Sequence, residues 1–270
     1  MKNKKTLKIE PIPVPDVKPE DVLGYELFPD LYGTIVTFAK RKSGKTTVLF
    51  EIFQHCINET TTIFIFASTH EVDANWLYIK QWLTENKINF ECFTDLDALD
   101  GIVTKLCQPA GKSDEKPKEL DIQDLFTCAK VVTKTPKKPE EKKKKGPIAP
   151  QYMFIFDDMS ALMRNESVSR LMKMNRHIKS KTVVSSQYPN DLNVPARQQA
   201  SYWLLFKGHP LDKLEQMYRI MDLSIEFLQF IKMYIFATTS VKFGFLYVDT
   251  QEGTFRRCFD TPIDPSRYVD

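Results

Sequence analysis

Two periodicities alternate along most of the chain. Gly33 to Phe38 (GTIVTF) is a continuous apolar run of strand length, and from about Lys45 to Cys56 the apolar positions recur at helical spacing. The pairing repeats: Thr62 to Ala67 (TIFIFA) predicts a strand and Asp73 to Glu85 a helix, then Ile88 to Phe93 a strand and Asp95 to Leu106 a helix. Further strands are predicted at Tyr152 to Phe156, Thr182 to Ser186 and Tyr202 to Phe206, with a helix near Glu166 to His177. Strands apolar on both faces and separated by helices predict an α/β fold, with a mainly parallel central sheet flanked by helices. Leu211 to Phe236 reads as helical throughout. Val241 to Tyr247 and Thr254 to Phe259 flank Gln251-Glu252-Gly253 as a closing C-terminal β-hairpin.

One stretch breaks the alternation. Residues 108–150 hold eleven lysines, seven acids and six of the sixteen prolines, a local charge of +4 against +3 for all 270 residues. The rest of the chain is therefore at −1, so the basic excess is local and a histone-like or ribosomal-type protein is excluded. Lys134 to Lys145 (KTPKKPEEKKKK) is too polar and proline-broken to bury anything, and predicts a disordered surface loop. Such a loop suits contact with nucleic acid or an acidic partner, and equally a solvated insertion, since long loops cost little entropy. A short amphipathic stretch, Ile122 to Val132, predicts a helix inside it. Residues 1–20, with Pro11, Pro13 and Pro15 where a signal peptide would be apolar, predict a flexible N-terminal arm. No run approaches the roughly 18 apolar residues of a membrane helix, so no membrane is expected as partner. The five cysteines (Cys56, Cys92, Cys107, Cys128 and Cys258) form no C-x-x-C pair and read as reduced thiols of an intracellular protein.

The chemistry concentrates where strands end. The first strand runs into Ala39-Lys40-Arg41-Lys42-Ser43-Gly44-Lys45-Thr46, followed by Thr47. Against G-x-x-x-x-G-K-[ST] this matches at Gly44, Lys45 and Thr46 and departs at Ala39. Such a loop curls backbone N–H groups around a phosphate at a helix N-terminus, where the dipole is positive. Lys45 would reach the β- and γ-phosphates of ATP, and the Thr46 hydroxyl would hold Mg²⁺. Lys40, Arg41 and Lys42 would face the nucleotide and are not counted as DNA contacts. Tyr152 to Asp158 (YMFIFDD) is an apolar strand ending in two carboxylates. Asp157 would bind Mg²⁺ and Asp158 would polarise the attacking water; alternatively the pair only ends a strand and caps the next helix. Two acids favour a motor-type hydrolase over a small-molecule kinase.

Beyond the acidic strand come Asn175-Arg176-His177, Thr182-Val183-Val184-Ser185-Ser186-Gln187-Tyr188-Pro189, Pro195-Ala196-Arg197-Gln198-Gln199 and Tyr202 to Phe206. This order resembles the genome-packaging ATPases of large DNA viruses, virophages and polinton-type elements, within the FtsK–HerA superfamily of P-loop NTPases. The resemblance covers about Tyr32 to Phe206, with a weaker match in the terminal hairpin. It implies a P-loop ATPase domain over residues 21–270 that pumps double-stranded DNA without sequence specificity into a capsid or packaging vertex. It also implies a homo-oligomeric ring, a hexamer, in the host cell cytoplasm, a viral factory or the virion. It makes Gln187 the polar sensor on the strand beside the phosphate-loop strand, and Arg176 and Arg197 candidates for an arginine finger acting across a subunit boundary. The alternative for each is an ordinary surface or salt-bridge arginine. Ala39, Gln198-Gln199 and the lysine-rich insertion depart from the family pattern. The rival readings are a small-molecule P-loop kinase, for which no lid-like arginine cluster is visible, and a non-catalytic nucleotide-binding scaffold. His55, His70 and His209 read as isolated surface or core residues, Trp76 and Trp82 as packing residues, and the aromatic Phe227 to Phe236 segment as core or interface.

Overall fold

A computed structural model of the chain describes residues 17–108, 146–160, 162–239 and 241–269. The lysine-rich run, the expected Ile122 to Val132 helix, Cys128 and nearly all of the expected arm lie outside the described residues.

Nine strands form one sheet: β1 (Gly33–Phe38), β2 (Thr62–Ala67), β3 (Asn89–Phe93), β4 (Tyr152–Asp157), β5 (Ser180–Ser186), β6 (Ala200–Phe206), β7 (Phe245–Asp249), β8 (Thr254–Arg257) and β9 (Thr261–Ile263). Their order is β3-β2-β4-β5-β1-β6-β7-β8-β9. The pairings from β3 to β6 are parallel and those from β6 to β9 antiparallel. The helices are α1 (Lys45–Cys56), α2 (Ala74–Glu85), α3 (Leu99–Cys107), α4 (Glu166–Lys173), α5 (Val194–Arg197), α6 (Leu211–Met221) and α7 (Phe227–Thr239).

Alternate residues of a strand point to opposite faces, and here both faces are buried. Ile63, Ile65, Met153 and Ile155 pack on one side with Val48, Ile52 and Phe53 of α1 and Trp76, Ile79 and Leu83 of α2. Phe64, Phe66, Phe154 and Phe156 pack on the other, with α3, α4, α6 and α7. On that side the rings stack from strand to strand, Phe93 on Phe66 at 4.8 Å and Phe66 on Phe156 at 5.0 Å, which pins the register of β3, β2 and β4.

The long helix expected from Leu211 to Phe236 is two helices. Asp222 closes α6 in the left-handed region (φ 50°), a conformation its short polar side chain tolerates, and the chain turns before α7. The expected hairpin is β7–β8, extended by β9, whose Pro262 occupies the sheet edge where no ladder N–H is needed. The strand expected to reach Phe259 stops at Arg257 because Cys258 turns left-handed (φ 53°).

β1 lies between β5 and β6, so the chain leaving β5 crosses over it. The C-terminal ends of β4, β5 and β1 therefore stand side by side, the position at which open α/β sheets bind ligands.

Candidate nucleotide site

The loop from β1 to α1 needs two left-handed residues, Lys42 (φ 61°) and Gly44 (φ 94°). Ala39 is fully buried and is not among the positive-φ residues, so alanine meets the backbone demand at the place where the loop motif has glycine. Lys45 begins α1, with Thr46 and Thr47 in its first turn. Ser43 puts a buried hydroxyl into the loop with no hydrogen-bond partner among the described residues.

Lys45 Nζ lies 3.0 Å from Asp157 Oδ1 and 2.9 Å from Asp158 Oδ1. Neighbouring side chains of a strand should diverge. Here Asp157 is the last residue of β4 and Asp158 turns left-handed (φ 53°), which brings both carboxylates to one ammonium. Burial alone would lower the Lys45 pKa, but the two carboxylates outweigh it and hold it above its ordinary value. For Asp158, burial pushes upward, and the Lys45 ammonium and the Gln187 amide more than offset it, so its carboxyl lies below the usual range. Gln187 follows β5 directly, and its Nε2 donates to Asp158 Oδ1 at 3.2 Å. The frame is fixed by the sheet: Ser186 pairs with Phe38, Ser185 with Asp157, and Ala39 N–H donates to Ser186 O at 3.0 Å.

The two arginines are not brought to this cluster. Arg176 lines a polar cavity of about 290 Å³ with Tyr32, Gly33, Lys173 and His177, at the N-terminal ends of β1, β5 and β6. Arg197 ends α5, where it donates to Asn190 Oδ1 at 3.2 Å; burial and the neighbouring Arg164 charge lower its pKa.

Two side chains read from the sequence as packing or isolated core residues stand at the site. Trp76 is completely buried, and its Nε1–H donates to Asp157 Oδ2 at 3.1 Å. The signal for it was its place in the first turn of the helix after β2, whose end adjoins β4. His209 is also buried, with Nε2 3.0 Å from Phe38 O, and burial lowers its pKa. A neutral imidazole donating there ties the end of β1 to the segment after β6.

No family model and no curated protein matches the chain. Among solved structures, the DNA-packaging ATPase from Sulfolobus turreted icosahedral virus covers 83% of this chain and 95% of its own at 12% identity (TM-score 0.47). The pCW3 conjugation coupling protein TcpA covers 80% and 56% at 13% identity (TM-score 0.41). The genome packaging NTPase from Sulfolobus turreted icosahedral virus 2, in complex with AMPPCP, covers 84% of this chain and 97% of its own at 11% identity, with a TM-score of 0.51. The chain has the fold of that NTPase. In this P-loop fold the Lys45 cluster occupies the end of the sheet where strand order and crossover place a ligand.

Among the described residues no group of three or more His, Cys, Asp or Glu side chains could hold a metal by itself. Asp157 at the end of β4 and Thr46 in the first turn of α1 carry oxygens of the kind a hard cation such as Mg²⁺ takes together with water and phosphate. No described helix is long and apolar enough to cross a membrane.

Proposed function

We propose that the chain is a Mg²⁺-dependent ATPase that moves double-stranded DNA into a viral capsid, working as a homo-oligomeric ring, a hexamer, in the host cytoplasm, a viral factory or the virion. The observation that carries this is the Lys45 ammonium held between Asp157 and Asp158, with Gln187 on Asp158, at the adjoining ends of β1, β4 and β5.

In the proposal, residues 39–47 cradle the phosphates, with the unpartnered Ser43 hydroxyl and the N-terminus of α1 facing them. Lys45 exchanges its carboxylate partners for the β- and γ-phosphates, which frees Asp158 to accept a proton from the attacking water. Gln187, already bonded to Asp158, orients that water. Asp157, fixed by Trp76, and Thr46 hold Mg²⁺, which when bound supplies charge neutralisation at the transferred phosphoryl group. Arg197 or Arg176 completes the site of a neighbouring copy in the ring. The unit that does this is a single domain over residues 21–270.

The test is ATP hydrolysis by the purified protein with Mg²⁺, with and without long double-stranded DNA. The expected outcome is turnover stimulated by DNA, with stimulation that weakens as salt rises because the contacts are to phosphates. Turnover that ignores DNA and passes phosphate to a metabolite would instead support a small-molecule kinase. Absence of turnover in a folded protein would support a non-catalytic nucleotide-binding scaffold.

A further inference from the structure

The peptide unit that joins Phe38 to Ala39 opens the phosphate loop, and both of its polar groups are engaged. On the β5 side Ala39 N–H donates to Ser186 O at 3.0 Å; on the other, Phe38 O lies 3.0 Å from His209 Nε2. A carbonyl only accepts, so the imidazole proton sits on Nε2. Nδ1 of the neutral ring is then a bare acceptor, buried and without a partner among the described residues. Burial favours that neutral form, and the nearby Lys213 and Lys40 charges act in the same direction. The ring is itself held in place. His209 N–H donates to the Tyr234 hydroxyl at 3.2 Å, and that hydroxyl donates to Phe206 O at 2.7 Å, so α7 fixes the segment leaving β6. Gly208 turns left-handed there (φ 98°), so close to the loop that a methyl group on it would meet the Lys40 side chain at 3.5 Å.

We propose that His209 is a positioning residue for the phosphate loop. With Ser186 it clamps the Phe38–Ala39 peptide in one orientation, so that the loop is shaped before phosphate arrives although its first motif position is alanine. The inference rests on the phosphate-loop reading above and adds a residue to it. A cradle of backbone N–H groups depends on how each peptide unit is turned, and a unit with one polar group released can rotate to find another partner. Without the imidazole, Phe38 O is released and the loop samples orientations of which only some bind; affinity falls by the fraction that do not. His209 touches no phosphate in this scheme, so it acts on binding and leaves the chemical step alone.

The test is calorimetric titration of the full chain in Mg²⁺ with ATP and with inorganic tripolyphosphate, beside steady-state ATP hydrolysis. His209→Leu, which fills the space without a donor, should weaken both ligands by about five- to tenfold and raise KM to match, with kcat changed less than about twofold. His209→Gln, whose amide can donate to Phe38 O, should restore most of the affinity, which a role in packing alone would not give. Ala39→Gly should cost more in the His209→Leu background than in the intact chain, because a freer residue matters more once the clamp is open. Unchanged affinity in His209→Leu would overturn the inference. So would a fall in kcat at constant affinity, or a glutamine no better than leucine. If His209→Leu does not fold, Tyr234→Phe, which releases the His209 N–H, is expected to weaken both ligands about threefold, and no loss there would overturn the inference too. If the intact protein binds neither ATP nor tripolyphosphate, the phosphate-loop reading falls and takes this one with it.

Discussion

At the N-terminal ends of β1 and β5, Asn175 donates to Thr34 Oγ1 at 2.7 Å and accepts from Ser180 Oγ at 3.0 Å and Thr182 Oγ1 at 2.9 Å, all four residues buried. At the opposite end, where β1 and β5 stand beside the end of β4, Lys45, Asp157, Asp158 and Gln187 form a charged cluster, with the Ser43 hydroxyl in the adjoining loop unpartnered among the described residues. The lower network is neutral and satisfied by its own members, so it can lock strands together and has nothing left to offer a ligand. The upper one carries full charges and an unspent donor, which a fold retains where something else is to bind. Polarity marks a site only when it is left incomplete.

This contrast can be broken in three places. The largest effect expected is from Lys45→Ala, which should cost at least ~10²-fold in ATP turnover, measured at saturating nucleotide. The protein should remain folded by circular dichroism, because Asp158 is partly open to water and can take up a proton. Full turnover in that variant would remove the upper cluster from the chemistry. Next comes Asn175→Ala, which leaves three buried hydroxyls short of a partner and should cost roughly 2–3 kcal/mol in denaturant unfolding, with nucleotide affinity unchanged. If affinity fell and stability did not, the two ends would have exchanged roles.

The smallest effect tests an exception at the lower end. Lys181 is fully buried on β5, its Nζ without a hydrogen-bond partner among the described residues and 5.4 Å from the centre of the Phe28 ring. Burial pushes its pKa below the ordinary lysine value of 10.5, so the unfolded chain keeps a proton over a window in which the folded chain has lost it. Stability should therefore rise with pH through that window, up to about 10.5. Lys181→Met should remove this slope and stabilise the protein by about 1–2 kcal/mol at neutral pH. Retention of the slope in the variant would assign it to another group.

Most of the sheet was legible because strands buried on both faces have to be apolar at every position, as TIFIFA and YMFIF are. The break at Asp222 was not, since one left-handed residue ends a helix without disturbing the apolar spacing on either side. β9 was missed because three residues around a proline carry no pattern. At the site, the loop from Ala39 to Thr46 and the Asp157-Asp158 pair were readable because each is a local cluster of chemistry at a strand end. The meeting of Gln187 with Asp158 depends on β5 pairing with both β1 and β4, which a lone glutamine does not announce. Trp76 and His209 reach the site from segments whose own sequences look like ordinary packing. The roles proposed for Arg176 and Arg197 turn on a neighbouring copy, which lies outside any one chain.

The indole of Trp76 has a use of its own. It is shielded from water, with its N–H on the carboxylate of Asp157. The excited state of an indole responds to nearby charge, so if Asp157 takes a metal as proposed, the exchange of its ammonium neighbour would change the colour and yield of the Trp76 emission. Set against the emission of Trp82 and Trp203, the other two indoles of the chain, that change would report loading without any dye.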